Sequence, residues 1–436
     1  MAPNAATIRQ TRTTCTRTLV HYIGVYLRSL QLTNYRNFRR LVVELPDGPI
    51  LVVADNAQGK SNLLESVEVL ATTKSARAGS DRELLNWGVL DPSNEEISRA
   101  ERFARVSAAV VRDTSETRAD IVLCPADADN GASPITKAYR VNGSPKRASD
   151  FVGKVTVVTF SPEEVALVSG SPGLRRRHLD VTNAQLSPRY LRALQRYNRV
   201  LLQRNKLLRQ SRFEGAALSS LSVWDAELVQ SGAILVLDRA RCLSGVAGLA
   251  DRWFTELGGW GHLDLQYRPS VAHEFSSAAD DDQTEETTLT SIRADFEAAL
   301  AGVAIRERGA GVSLVGPHRD DLGFLLDGAD LNTFGSRGQQ RLAALSLKLA
   351  ELEWLTEKGG SRPVLLLDDV LSELDDGRQR AVLHAVASAG QTFLTTTRLD
   401  SSAQDLLADA PTIRLRAGAL ADGDIPCSSP AAVSLS

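Results

Sequence analysis

From Tyr26 to Leu32 apolar and polar positions alternate, which predicts a half-buried strand, and residues 40–45 predict a second one. Asn34-Tyr35-Arg36-Asn37-Phe38 reads as the turn between them. Ile50-Leu51-Val52-Val53 is continuously apolar, the pattern of a strand covered on both faces. It runs into Ala54-Asp55-Asn56-Ala57-Gln58-Gly59-Lys60-Ser61, after which Leu63, Leu64, Val67 and Leu70 mark one face of a helix. Strand-like pieces recur at 104–112, 118–123 and 155–160, with a polar loop at 127–134. From about 172 to 309 the pattern is mostly helical, interrupted by an acidic tract at 276–288 that reads as a mobile loop. A second continuous apolar run, Val364-Leu365-Leu366-Leu367, predicts another buried strand. From about 417 the chain is rich in Ala, Gly, Ser and Pro, which predicts a disordered tail.

These patterns predict an α/β protein with an N-terminal extension (1–24), a first core segment (25–171), a helical insertion (172–309), a second core segment (310–416) and a tail (417–436). At 436 residues the chain is long enough for two or three compact units. No apolar run approaches the length of a membrane span, so no membrane role is expected. The formal net charge of −3 rules out a global basic field, so any nucleic-acid contact must come from a local patch. Cys15, Cys124, Cys242 and Cys427 lie far apart without a CxxC pair, which argues against a zinc motif or disulfide framework and for a reducing cytoplasm. Residues 1–24 carry Arg9, Arg12 and Arg17 and no acid; this suits a transit peptide, but the simpler expectation is a disordered or mis-assigned extension, with the native start at Val25.

Gly59-Lys60-Ser61, between a buried strand and a helix, has the mechanics of a phosphate loop: backbone N–H groups and the helix N-terminus hold phosphate oxygens. Lys60 would reach the outer phosphates and the Ser61 hydroxyl would bind Mg²⁺. Ala54 takes the first glycine position of the strict GxxxxGK[ST] pattern, which predicts a stiffer turn, and Ala57 stands where many such loops have another glycine. The run Val364–Leu367 ends in Asp368 and Asp369. Carboxylates at such a strand terminus suit Mg²⁺ ligation by Asp368 and activation of water by Asp369. Between these segments, Phe334-Gly335-Ser336-Arg337-Gly338-Gln339-Gln340-Arg341 precedes a helical run, a second anion-binding pattern, with a plain Ser336 helix cap as the simpler reading.

Pro172 to Arg212 holds eleven basic side chains against one acid, Asp180. Leu191, Leu194, Leu201 and Leu208 give this segment an apolar stripe, leaving Arg189, Arg192, Arg196 and Arg199 as candidates to meet a phosphate backbone. The competing reading is a solvated helix face balanced by the acidic tract at 276–288. Arg175, Arg176 and Arg177 are alternatively placed at a lobe interface or the nucleotide.

The three phosphate-site segments, in this order, resemble the Walker A, signature and Walker B motifs of ABC-type ATPases, with Ser372-Glu373-Leu374-Asp375 similar to their D-loop. Within that superfamily the chain most resembles the RecF family, related to SMC and Rad50. The resemblance is carried by Leu30 through Phe38, Asn56 through Glu65, Pro162-Glu163 through Gly170-Ser171-Pro172 with Arg175 through Asp180, Gly316-Pro317-His318-Arg319-Asp320-Asp321, and Leu367 through Asp375. It departs at Ala54, at His178 where an aromatic is usual, and at the Q-loop, whose place Phe160-Ser161-Pro162-Glu163 is expected to fill; the switch histidine of transporters is also missing, and Thr395-Thr396-Thr397 follows Phe393-Leu394 instead, which looks like the RecF family. The resemblance implies a two-lobed ATPase head with an inserted helical lobe. It implies ATP and Mg²⁺ as cofactors, with Arg36, residues 54–61, Ser336, Gly338 and Gln339 at the nucleotide. It also implies a weak, DNA-stimulated ATPase, an ATP-dependent homodimer, and binding of single-stranded, double-stranded and gapped DNA. The expected role is repair, recombination and replication restart with RecR and, indirectly, RecA, linked to the SOS response. A transporter ATPase subunit and a non-hydrolysing nucleotide-binding scaffold are the alternatives.

Overall fold

The computed structural model describes residues 24–91, 98, 101–125, 135–211, 218–275, 282–371, 374–388, 390–397 and 410–421. The polar loop at 127–134, the tail beyond 421 and all of the expected 1–24 extension except Gly24 lie outside the described residues.

In chain order the elements are β1 (Val25–Tyr35), β2 (Phe38–Glu44), β3 (Pro49–Val53), α1 (Lys60–Thr72), β4 (Ala104–Arg112), β5 (Ser115–Pro125), β6 (Ile135–Val141), β7 (Ser144–Lys146) and β8 (Val157–Phe160). The insertion follows with α2 (Pro172–Leu186), α3 (Pro188–Ser211), α4 (Leu218–Glu256), β9 (Leu263–Arg268) and α5 (Asp282–Ala310). The chain then gives β10 (Asp321–Leu326), β11 (Ala329–Asp330), α6 (Arg337–Gly359), β12 (Val364–Leu367), α7 (Asp376–Ser388), β13 (Thr392–Thr396), β14 (Thr412–Arg416) and β15 (Ala419–Leu420). Short helical turns connect several of these.

The first lobe stacks two sheets. One is antiparallel, in the order β2-β1-β4-β5-β6-β7; the other, β15-β14-β3-β13-β12-β8, is parallel except at its β15 edge. The parallel strands are covered on both faces, which explains their continuous apolar sequence. Ile50, Val52, Val364 and Leu366 point into the core shared with the antiparallel sheet and α1. Leu51, Leu365 and Leu367 point the other way, into a core shared with α2, α4 and α6. The helical lobe has its own core around Tyr190, Tyr197, Leu228 and Phe296.

Three expectations change here. Residues 282–288, read as part of a mobile acidic loop, begin α5. Residues 417–421, read as the start of a disordered tail, close the β14–β15 hairpin. The insertion, read as mostly helical with no strand named in it, contributes β9, which pairs with β10 beyond it in a three-stranded sheet. Its partner lies more than fifty residues on, so local periodicity carries little signal for it.

Candidate functional site: a phosphate loop beside a carboxylate pair

Strands β3 and β12 end on the same edge of the parallel sheet because both pair in register with β13: Leu394 lies opposite Leu51 on one side and Leu367 on the other. The loop after β3 and the carboxylates after β12 are therefore neighbours, although about three hundred residues separate them in sequence.

The loop is held from outside itself. The Asn37 amide in the β1–β2 turn donates to the Gln58 carbonyl at 3.1 Å, and Gly418 N donates to the same oxygen at 3.2 Å. The Gln58 side chain accepts from Ala417 N at 2.6 Å. Gly59 has φ of 112°, and a Cβ there would lie 2.6 Å from the Asn37 amide, so this position requires glycine. Ala54 lies outside the positive-φ residues, so the missing first glycine imposes no left-handed backbone strain. The strained alanine is Ala57, at φ 62°. Lys60 is buried, and its Nζ donates to the carbonyls of Ala54 at 2.7 Å and Asp55 at 3.2 Å, which stretches the ammonium back along the loop. Ser61 follows in the first turn of α1, while Asp55, Asn56 and Ala57 are exposed at the loop's rim.

Asp368 is buried and held on both sides: its backbone N donates to Phe160 O at 2.9 Å, and Thr395 Oγ1 donates to its Oδ1 at 2.8 Å. The Phe160–Glu163 segment expected at the Q-loop position thus touches this strand end. Asp369 has a left-handed backbone, φ 50°. Burial and the neighbouring Asp368 push its carboxyl up, while the nearby Lys60 ammonium pulls it down. Arg77, on the loop after α1, reaches to 4.0 Å from Asp368 Oδ2. Sequence reading missed this residue, because only the fold brings that loop to β12.

Arg36, expected at the nucleotide, is paired with Glu65 of α1 through two hydrogen bonds of 2.6 and 2.8 Å. Burial pushes the Glu65 carboxyl up, but the bonds from Arg36 and Ser75 outweigh it and hold its pKa below the usual range. Arg36 therefore fixes α1, and its neighbour Asn37 is the residue that touches the loop.

Ser336 caps α6: it accepts from Gln339 N at 3.2 Å, and Gln339 Oε1 accepts from Ser336 N at 2.9 Å. The simple capping geometry is present, yet Ser336, Gly338 and Gln339 are all exposed, and a Cβ on Gly338 would come no nearer than 4.0 Å to Ser336 Oγ. Helix rise puts this end of α6 roughly 16 Å from Lys348, where the helix meets Glu164 of the first lobe.

His178, at the family's aromatic position, has its side chain enclosed beside Lys348 and Glu351; burial and the Lys348 charge lower its pKa to about 4, so it packs as a neutral ring.

The basic segment divides. Arg175 and Arg204 are buried in ion pairs, with Asp321 and with Asp225 and Glu307. Arg189 pairs with Glu285 of the acidic tract, and Arg196 pairs with Glu227. Arg192, Arg199 and Lys206 are exposed at every second turn of α3 and have no carboxylate within ion-pair distance among the described residues. Arg212 lies outside the described residues.

No group of His, Cys, Asp and Glu among the described residues forms a metal cluster, and no described helix is long and apolar enough to cross a membrane. A phosphate loop and a strand-end carboxylate pair on one sheet, in a core interrupted by an inserted helical lobe, define an ABC-type ATPase head. The comparisons narrow this class. A family profile described as RecF/RecN/SMC N terminal domain matches residues 26–406. The DNA replication and repair protein RecF of Chloroflexus aggregans is 39% identical over 92% of this chain and 100% of its own length. That of Halalkalibacterium halodurans is 37% identical over 91% and 99%. A solved structure of the recombination mediator protein RecF with ATP, from the RecFOR pathway, superposes with a TM-score of 0.77 at 29% identity, covering 93% of this chain and 99% of that one. The chain belongs to the RecF family of DNA replication and repair proteins.

Proposed function

We propose that two copies of this chain form an ATP-dependent clamp on DNA. The observation that carries the reading is the split of the site. Lys60, Asp368 and Asp369 meet at one sheet edge, while Ser336 and Gly338 stand exposed at the far end of α6. One chain supplies one of each, so a complete site takes the signature from a second copy in a two-fold pair. Lys60 and the loop's N–H groups bind the phosphates of ATP. Ser61 and Asp368 are the hard oxygen donors Mg²⁺ prefers, and the ion would neutralise phosphate charge there. Asp369 orients the attacking water and accepts its proton; its raised pKa strengthens it as a base. Ser336 and Gly338 of one copy contact the γ-phosphate held at Lys60 of the other, so hydrolysis opens the pair.

In this reading residues 172–309 form the DNA-contacting arm, with Arg192, Arg199 and Lys206 as its backbone-facing cations. No base-reading motif is present, so single-stranded, double-stranded and gapped DNA are bound without sequence preference. The protein acts in the cytoplasm as a weak, DNA-stimulated ATPase, with RecR as partner and RecA loading as the outcome.

The test is mass by analytical ultracentrifugation in ATP, ADP and buffer, with Asp369→Asn to prevent turnover. ATP alone is expected to give the dimer, and Ser336→Arg is expected to stay monomeric while still binding ATP. Equal dimerisation in ADP, or normal dimerisation of Ser336→Arg, would overturn the composite site.

A further inference from the structure

A cleft of about 780 Å³ lies between the loop that follows α1 and the helices α2, α3 and α4. This is within the usual size range of small-ligand sites, roughly 300–1,000 Å³. It stands at the C-terminal end of α1, about 18 Å along the helix from Lys60.

Its charge is unbalanced. Lys74, Lys137, Arg176, Arg177 and Arg239 line it, against the two carboxylates Asp81 and Asp180. Both carboxylates are already engaged: Asp81 with Lys137 at 2.5 Å and Asp180 with Arg239 at 2.8 Å. The excess falls on three residues. Among the described residues, Arg176 donates to a backbone carbonyl, Asp320 O, at 2.8 Å, and Arg177 likewise to Ser75 O. Lys74 is exposed at the rim. Neither arginine has a carboxylate within ion-pair distance among the described residues. Burial and the nearby Arg239 charge lower the Arg176 pKa, against the opposing pull of Asp321, Asp320 and Asp180. Two half-buried guanidinium groups and an ammonium facing one cleft form the donor set that phosphate oxygens satisfy best.

We infer that this cleft is a second phosphate-binding site, which takes a phosphorylated ligand of nucleotide size between Arg176, Arg177 and Lys74. Lys74 and Ser75 belong to the loop after the Walker A helix, and Arg176 and Arg177 belong to the helical lobe. A phosphate bound among them braces one lobe against the other. The same phosphate chemistry is offered by a free nucleotide and by the terminal nucleotide of a DNA strand. The inference does not depend on the composite ATP site.

The test uses the full chain carrying Lys60→Ala, which removes the phosphate loop's main cation. Pyrophosphate, dTMP and a 5′-phosphorylated dT hexamer are titrated by calorimetry, with the unphosphorylated hexamer as control. Binding of pyrophosphate, and of dTMP or the phosphorylated hexamer over its control, is expected. Adding Arg176→Gln and Arg177→Gln is expected to weaken it about ten-fold or more, since both charge-assisted donors are lost. Lys74→Gln is exposed and tolerable to the fold, and is expected to weaken binding about three- to ten-fold, so the idea stays testable if the arginine variant does not fold. Preference for dTMP assigns the site to free nucleotides, and preference for the phosphorylated hexamer to a strand end. The inference fails if the three probes bind no tighter than the control hexamer, or if Lys74→Gln and the arginine variant both leave their affinity unchanged.

Discussion

Thr395 fastens Asp368: its hydroxyl donates to Asp368 Oδ1 at 2.8 Å and at the same time accepts from Asp369 N at 2.8 Å. One fully buried hydroxyl on β13 therefore fixes both carboxylate-bearing residues of the Walker B end. In sequence it stands where transporter ATPases have their switch histidine, and here its hydroxyl bonds to Asp368 and Asp369.

Thr395→Val keeps the shape and removes both bonds. It is expected to weaken the Mg²⁺ dependence of ATP hydrolysis by about 10–100-fold, the usual range for loss of an outer-sphere partner. Thr395→Ser should restore most of it. Mg²⁺ titration of steady-state ATPase reads both, and an unchanged Mg²⁺ dependence in Thr395→Val would remove Thr395 from the site.

Lys60 and Asp369 should separate binding from chemistry. Lys60→Ala is expected to abolish most ATP affinity, because Lys60 is the loop's buried cation. Asp369→Asn should bind ATP normally and hydrolyse it roughly 10²–10⁴-fold more slowly, because an amide cannot accept the water's proton. Fluorescent-nucleotide binding and single-turnover hydrolysis distinguish the two effects. Normal turnover in Asp369→Asn would transfer the base role elsewhere.

On α3 the structure revises which cations to remove. Arg192→Ala, Arg199→Ala and Lys206→Ala together should weaken DNA binding and reduce the magnitude of its salt slope by roughly 0.7–0.9 per lost phosphate contact. Arg196→Ala should do less, because Glu227 already neutralises Arg196. Anisotropy titrations at several salt concentrations check this, and an unchanged slope in the triple variant would place the DNA face elsewhere.

Glu68 of α1 gives a prediction in pH. Burial, together with repulsion from Glu164 and Glu65, raises its pKa to about 7 from an ordinary value of 4.5. Between those values the folded chain holds a proton that the unfolded chain has released. Stability therefore falls as pH rises through that window, by up to about 3 kcal/mol. Glu68→Gln should be more stable than the parent at pH 8 and close to it at pH 4.5. Urea denaturation at both values measures the difference, and a variant no more stable at pH 8 would show that Glu68 is stably ionised.

Part of this protein is written locally. The continuous apolar runs at 50–53 and 364–367, the helix start after Gly59, the carboxylates at a strand end and the basic segment after Pro172 are each legible over a few residues, because a strand covered on both faces and a phosphate loop impose their residue types directly. Joined in order, they carry the family and the class of site. The three-dimensional packing decides what no local pattern encodes. It brings Arg77 to Asp368, turns Arg36 onto Glu65, and uses the 417–418 turn to hold the Walker loop. It also places the strain at Ala57 rather than Ala54, and sorts the arginines of one segment into buried, paired and free. Each of these depends on a partner tens to hundreds of residues away. A charged side chain looks the same in sequence whether it meets a carboxylate, a carbonyl or water; the fold chooses its partner, and the partner sets its role.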